Sequence, residues 1–350
     1  MGRLYSGIHP GSQQGKKTLE SENLLASLFA THIGKYSDKW SSYLDVYWNL
    51  FAPIRQSEID VLEIGIQNGG SLEIWAEFFP NAKTLIGFDN DPKCKDLEFE
   101  DPRIKVFVDD AGTEQAGTTV KQTSSNLGVV IDDGSHISKD IIRSFLIFFP
   151  QLKPGGLYVI EDLHASYWHD WQGGISHPDS SIQFLKLLAD VVNFDHWGIS
   201  SMRTELFDMI PSTSGLLSEN TFAEIESVLF LDSVCVIRKK TQNYIGLGRR
   251  VGSGSEAKVF DGVKQSIGRI SSPPPQQGNQ FANIRDLSLT QALTYKTQNQ
   301  QLTEQNQQLT EQNDFNKQSI RAMTATWSWR VTKPLRYIRN FSSNLKKVLK

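Results

Sequence analysis

Five short apolar runs, each followed by a polar turn and then by helical or irregular chain, restrict the fold more than any other feature of this sequence. They are Asp60–Ile64, Thr84–Phe88, Ile104–Val108, Leu127–Ile131 and Gly156–Ile160. Each is too short for a stable helix and apolar enough to be buried on both faces, as strands of a parallel sheet are. Ser71–Phe78 and Ser138–Phe149 carry helical periodicity between them. Strands alternating with crossover helices at this pace predict a parallel sheet with helices on both faces. Ser227–Ile237 reads differently, as two apolar runs about the polar break Asp232-Ser233, and predicts a hairpin closing one sheet edge. The expected architecture is therefore α/β and Rossmann-like, with seven mostly parallel strands. Leu24–Phe51, ahead of the first run, shows apolar residues at helical spacing.

The strand-rich part spans about 23–240, after a Gly/Ser-rich leader over 1–22. Residues 241–283 are rich in Gly, Ser, Gln and Pro and read as a linker. Within 284–325 lies a near-repeat of period seven that sets Leu302 and Leu309 at heptad position d, and Asn299, Asn306 and Asn313 at a. Asn at a fixes register and favours a parallel dimer, so a homo-oligomer through this segment is one expectation and a Gln-rich spacer the other. Residues 315–350 contain no acidic side chain, and 326–350 form a basic tail in which Leu335, Ile338, Leu345 and Val348 fall along one helix side. Such a tail suits an anionic membrane surface; a solvated tail or a helix docked on a partner is the other reading.

The composition narrows the class. With 39% hydrophobic residues the chain builds a core, and a net charge of −3 gives no general affinity for nucleic acid. The two cysteines, Cys94 and Cys235, fit neither a redox nor a zinc spacing. No signal peptide is expected after Arg3, and no run is long and apolar enough to span a bilayer. A cytoplasmic protein, peripheral to the inner face of the plasma membrane through its tail, is the expectation.

The turn after the first strand runs from Glu63 through Gly65 to Gly69, with Ser71 opening the next helix. Glycines there let backbone amides approach a ligand closely. The spacing differs from the G-x-G-x-x-G that cradles a pyrophosphate. It suits a ligand without phosphate whose amino-acid carboxylate and ammonium meet the turn. The second strand ends in Asp89, placed to accept both hydroxyls of a ribose. The third ends at Asp109, beside the place of an adenine. These acids also occur as helix caps and turn residues, yet three at successive strand ends point to S-adenosylmethionine (SAM).

The fourth and fifth strands run into Asp132-Asp133-Gly134-Ser135-His136 and Glu161-Asp162-Leu163-His164. Adjacent parallel strands bring their carboxyl ends to one crevice. Carboxylates crowded there repel unless a cation sits among them, and hard oxygen ligands favour Mg2+ over zinc. Asp133, Glu161 and Asp162 are the expected metal ligands, with Asp132 facing the cofactor or capping its strand. His136 is the expected general base, able to take a proton from an alcohol activated by the metal. Its alternative is a cap on the helix that follows; His164 reads as a loop histidine.

At these residues the sequence resembles the Mg2+-dependent sugar O-methyltransferases of macrolide biosynthesis, which group with proteins named cephalosporin hydroxylases. The matching stretches are Val61–Ile66, Gly69–Leu72, Ile86–Pro92, Ile131–Ile137 and Leu152–His164, continuing to Ser166-Tyr167-Trp168. The resemblance covers roughly 35–240. It implies a SAM- and Mg2+-dependent enzyme acting on a sugar hydroxyl of a glycan or glycosylated metabolite, with metal on Asp133, Glu161 and Asp162 and His136 as base. It also implies that Tyr167 and Trp168 belong to the acceptor wall. One departure stands out. Where such proteins often carry His-x-Tyr after an Asp-Lys, this chain reads Asp38-Lys39-Trp40-Ser41-Ser42-Tyr43. Two other readings stand beside the sugar enzyme. One is the same machinery acting on a catechol or small phenol. The other is a non-catalytic interaction protein with a degenerate domain, whose mark would be a broken metal site.

Overall fold

The computed structural model describes residues 23–279, 281–282 and 284–325. The leader over 1–22 and the basic tail over 326–350 lie outside the described residues. Two helices open the described chain, α1 (Leu24–Thr31) and α2 (Ser41–Phe51). There follow β1 (Asp60–Ile64), α3 (Gly70–Phe78), β2 (Thr84–Asp89), β3 (Ile104–Val108), α4 (Glu114–Thr123), β4 (Leu127–Asp132), α5 (Ser138–Phe148) and β5 (Leu157–Ile160). Then come α6 (Ser181–Val192), α7 (Glu219–Ala223), β6 (Ile225–Leu231) and β7 (Val234–Lys239).

The strands form one seven-stranded sheet in the order β3-β2-β1-β4-β5-β7-β6. β1 to β5 are mutually parallel, and β7 runs antiparallel between β5 and β6. The hairpin expected around Asp232-Ser233 is thus β6–β7, closing the sheet at β6. The registers Ile64↔Phe88, Ile64↔Asp132, Asp89↔Val108 and Asp132↔Ile160 set the strand ends level.

Each parallel strand is apolar because both faces are buried. Leu62 and Ile64 of β1 join a cluster with Phe145, Phe148 and Phe184, while Val61 joins Tyr47, Phe51, Trp75 and Phe78 in the other. On α5 the residues Ile141, Ile142, Phe145, Leu146 and Phe148 are buried, a helical stripe laid on the sheet. The second cluster holds a layer of aromatic rings: Trp75 meets Tyr47 and Phe51 edge-on, with ring centroids at 5.3 and 5.9 Å.

The helical spacing over Leu24–Phe51 belongs to two helices with a gap that the apolar pattern does not mark. α1 ends at Thr31, α2 starts at Ser41, and the chain between them crosses the start of α3. Glu73, in the first turn of α3, accepts hydrogen bonds from the Lys35 backbone amide at 2.7 Å and from Lys35 Nζ at 2.8 Å. Gly34 and Gly70 permit the crossing: a Cβ on Gly70 would lie 2.1 Å from the Lys35 carbonyl oxygen, and one on Gly34 2.1 Å from Glu73 Oε2.

After Lys239 no further strand joins the sheet among the described residues. Residues 284–325 form one continuous helix, α8 (Ile284–Ala325), on which Leu302 and Leu309 are 55% and 64% exposed. Among the described residues no helix is long and apolar enough to cross a membrane.

Trp75 is fully buried among four aromatic neighbours. Trp75→Ala should therefore cost about 3–5 kcal/mol, the range for emptying a large aromatic site in a core. Chemical denaturation would measure it, and a loss below about 1 kcal/mol would show that the aromatic layer does not carry the packing assigned to it.

Candidate active site

The strand order reverses between β1 and β4, where an open parallel sheet presents its ligand crevice. The ladder continues past the strand ends: Gly65 N donates to the Phe88 carbonyl (2.8 Å), Asp109 N to Asp89 (3.0 Å), Asp133 N to Ile64 (2.9 Å) and Glu161 N to Asp132 (2.9 Å). These bonds line the loop residues up along one edge, over a cleft of about 520 Å³. Gly65 is required there twice over. Its φ is +84°, and a Cβ would lie 2.1 Å from the Asp133 carbonyl oxygen, where the β1 and β4 loops touch.

On the side of the Gly65 turn, Asp89 lines the cleft and is held by two backbone amides, Gln67 N at 2.8 Å on Oδ2 and Asp91 N at 2.9 Å on Oδ1. Gly65, Ser71, Asp109 and Asp132 line it too. Asp132 is buried and receives the hydroxyls of Ser144 and of Tyr158, the latter at 3.1 Å. Burial pushes its carboxyl up to about 6, against the pull of those hydroxyls. Two expected cofactor residues stand behind the wall. Glu63 is fully buried, accepting from Ser71 Oγ at 2.6 Å, and Gly69 precedes α3 with φ +80°. A Cβ on Gly69 would lie 2.7 Å from the Phe99 ring, so this glycine serves the turn and its packing.

On the acidic side, ligand atoms of Asp133, His136 and Asp162 all lie within 4.8 Å of one another. His136 Nε2 is 3.6 Å from Asp162 Oδ2 and 3.9 Å from Asp133 Oδ1. Both His136 (φ +57°) and Asp162 (φ +53°) adopt the left-handed backbone that non-glycine residues rarely hold. Such strain persists where the surroundings over-determine it, and it aims both side chains into the cleft. The oxygen-rich donor set, open on its cleft side, fits a hard divalent cation such as Mg2+. Glu161 also lines the cleft, but its Oε1 is turned to Lys39 Nζ at 2.6 Å and to the Tyr47 hydroxyl.

The N-terminal segment supplies the groups that sequence reasoning did not assign. Lys39 Nζ lies 2.5 Å from Asp133 Oδ2, 2.6 Å from Glu161 Oε1 and 3.6 Å from Glu63 Oε1, with its side chain only 2% exposed. Burial disfavours its charge, but Glu161, Asp133 and Glu63 outweigh that and hold its pKa above the ordinary lysine value. Tyr43 donates to Asp162 Oδ1 at 2.7 Å and accepts from the Asp162 amide at 3.1 Å, and Trp40 Nε1 donates to the same oxygen at 3.0 Å. All three acids expected to hold a metal are thus gripped by residues 39–47. Their partners lie 94 to 122 residues away in the chain, so no local pattern announces them. The one available signal was the unusual run Asp38–Tyr43. His164 is pinned by Ser233 Oγ at 2.5 Å from Nδ1, and Trp168 stacks edge-on to it at 4.9 Å.

Comparison with known proteins places this geometry. The MycE methyltransferase of the mycinamycin pathway, solved in complex with Mg, SAH and mycinamycin VI, superposes with a TM-score of 0.50 at 26% identity. The superposition covers 63% of this chain and 54% of that one. The fold is that of the SAM-dependent methyltransferases. The 8-demethyl-8-alpha-L-rhamnosyl tetracenomycin-C 2'-O-methyltransferase of Streptomyces olivaceus is 31% identical over 217 residues, 59% of this chain and 53% of the relative. The demethylmacrocin O-methyltransferase of Streptomyces fradiae is 35% identical over 165 residues, 44% and 41% of the two chains. The mycinamicin VI 2''-O-methyltransferase of Micromonospora griseorubida is 34% identical over 153 residues, 41% and 37%. The similarity therefore spans about half the length of these relatives or less, and no protein-family model matches the chain. The resemblance read from the motifs is the one the comparisons find.

Within this methyltransferase fold the close approach at Gly65 can be separated from its dihedral. Gly155 has a similar φ of +79°, but a Cβ there would meet only Thr241, at 3.5 Å. Gly155→Ala should cost about 1 kcal/mol, and Gly65→Ala, which adds a backbone clash, about 3 kcal/mol or more. Equal losses in urea unfolding would mean that the contact between the β1 and β4 loops is not tight.

Proposed function

We propose that this chain is a SAM- and Mg2+-dependent O-methyltransferase acting on a hydroxyl of a sugar carried by a small molecule. The observation that carries the reading is one cleft, lined by the Gly65 turn and Asp89 on one side and by Asp133, His136 and Asp162 on the other. The names of the similar proteins, each an O-methyltransferase and one of them of a rhamnosyl metabolite, support the acceptor class.

In this reading the turn amides and Ser71 receive the amino-acid end of SAM, Asp89 its ribose hydroxyls, and Asp109 lies beside its adenine. Asp133, Glu161 and Asp162 would hold Mg2+, which when bound lowers the pKa of an acceptor hydroxyl. His136 Nε2 accepts the hydroxyl proton as the acceptor oxygen bonds to the methyl carbon of SAM, whose bond to sulfur breaks and leaves the neutral thioether SAH. Asp162 Oδ2, 3.6 Å away, stabilises the imidazolium that forms. Lys39, Trp40 and Tyr43 fix the acids and close the site over the β4 and β5 loops. Glu63 supports Ser71 from behind.

The reading extends to the rest of the chain on its sequence alone. It is a cytoplasmic enzyme of bacterial glycan or glycosylated-metabolite biosynthesis, with 23–240 as the catalytic part and 241–283 as a linker. The heptads of 284–325 pair as a coiled coil in a homo-oligomer, and the basic tail of 326–350 meets anionic lipid at the inner membrane face.

Calorimetric titration with SAM, with and without Mg2+, tests the base of this proposal. Binding in the micromolar range or tighter is expected, and no binding in either condition would refute the enzyme reading. Asp133→Asn should abolish turnover and leave SAM affinity intact; equal loss of both would argue against its place at the metal.

His136→Ala should lower kcat on a sugar acceptor by about 10²–10⁴-fold with SAM affinity unchanged. Undiminished kcat would exclude His136 as base and shift the reading to a phenol acceptor, whose hydroxyl ionises readily.

A further inference from the structure

The acid cluster of this site already contains a cation that belongs to the chain. Lys39 Nζ bridges Asp133 Oδ2 and Glu161 Oε1 at 2.5 and 2.6 Å, with Glu63 Oε1 at 3.6 Å. The side chains of Glu63 and Glu161 are 0% and 2% exposed, so water cannot screen them. Carboxylates taken out of water without a counter-charge are costly enough to unfold a site or to force protonation. The lysine has little room to leave, because its neighbours are tied down on both sides. Lys35 is bonded to Glu73, Trp40 and Tyr43 to Asp162.

Asp133 divides its two oxygens. Oδ2 meets Lys39, while Oδ1 faces His136 and the open side of the cleft. A divalent ion held by Asp133 Oδ1 and Asp162 would share the Asp133 carboxylate with an ammonium already bound to it. Two cations on one carboxylate repel, and each weakens the hold of the other.

We propose that Lys39 is a resident cation of this site: it lets the buried carboxylates fold together without a divalent ion, and by sharing Asp133 it holds divalent-ion affinity down. The proposal rests on the metal-dependent reading given above. It makes Lys39 a positioning residue whose signature is thermodynamic and needs no turnover to be seen. A lysine acting only as an ion pair would, when removed, destabilise the chain by the same amount with or without Mg2+.

The test uses the full chain and the variants Lys39→Met and Lys39→Met/Glu161→Gln. Thermal unfolding is followed in EDTA and in Mg2+, with calorimetric titration of Mg2+ alone. Lys39→Met should melt lower than the unmodified chain in EDTA, and Mg2+ should raise its Tm by more. Its Kd for Mg2+ should be at least about tenfold tighter, or 1.4 kcal/mol. The double variant removes one carboxylate charge with the lysine and should recover most of the EDTA Tm. If Lys39→Met does not fold, the double variant decides: recovery supports the proposal, and a double variant as unstable as the single overturns it. Equal Mg2+ affinity in the unmodified chain and Lys39→Met, or weaker binding by the variant, refutes the proposal alone. Absence of Mg2+ binding to any of them refutes the metal reading itself.

Discussion

Charges removed from water need partners of opposite sign, and the carboxyl edge of this sheet gathers Glu63, Asp133, Glu161 and Asp162 within reach of one another. Their crowding follows directly from parallel pairing, since level registers bring the end of β1 and the residues after β4 and β5 to one line. What makes the crowd tenable is the segment between α1 and α2. Its Lys39 enters the cluster as an ammonium, and its Trp40 with Tyr43 of α2 takes Oδ1 of Asp162. The crossing of that segment over α3 depends in turn on Gly34 and Gly70, whose missing side chains leave room for the Glu73 carboxylate and the Lys35 carbonyl. The chemistry of the edge and the path of the N-terminal chain are therefore one problem with one solution.

The sheet was legible because its signals are local. β1 through β5 each carry a short apolar run, and the polar pair Asp232-Ser233 marks the hairpin turn within a few residues. The acidic strand ends were legible for the same reason, since an acid placed just after a strand has its direction set by the sheet. Asp89, Asp109, Asp132, Asp133 and Asp162 all reach the cleft.

Other features could not be read because they depend on distant partners. The gap between α1 and α2 is imposed by Glu73, and nothing in the apolar periodicity of Leu24–Phe51 encodes it. Lys39 resembles any surface lysine until its partners, far along the chain, are in place. Glu63 and Gly69 belong to the turn that reads as a ligand site. The fold uses Glu63 beneath Ser71 and Gly69 at the start of α3, where it spares a clash with Phe99. A motif names the loop, and packing decides which of its residues face the cleft.

Ser233, at the tip of the β6–β7 hairpin, joins parts of the chain that are far apart in sequence. Its carbonyl accepts from Leu163 N at 2.9 Å and from the Tyr43 hydroxyl at 3.3 Å, and its Oγ meets His164. On a ribosome, which delivers the chain from its N-terminus, Tyr43 emerges long before the residue that completes its bonding. The strands β1 to β5 can pair as they appear, and Trp40 and Tyr43 can already hold Asp162, but the clasp on Leu163 and His164 is missing until residue 233 is out. The last clasp on this loop is thereby deferred to the hairpin that closes the sheet, and a chain halted short of it carries every acid of the cluster without the bonds that Ser233 adds.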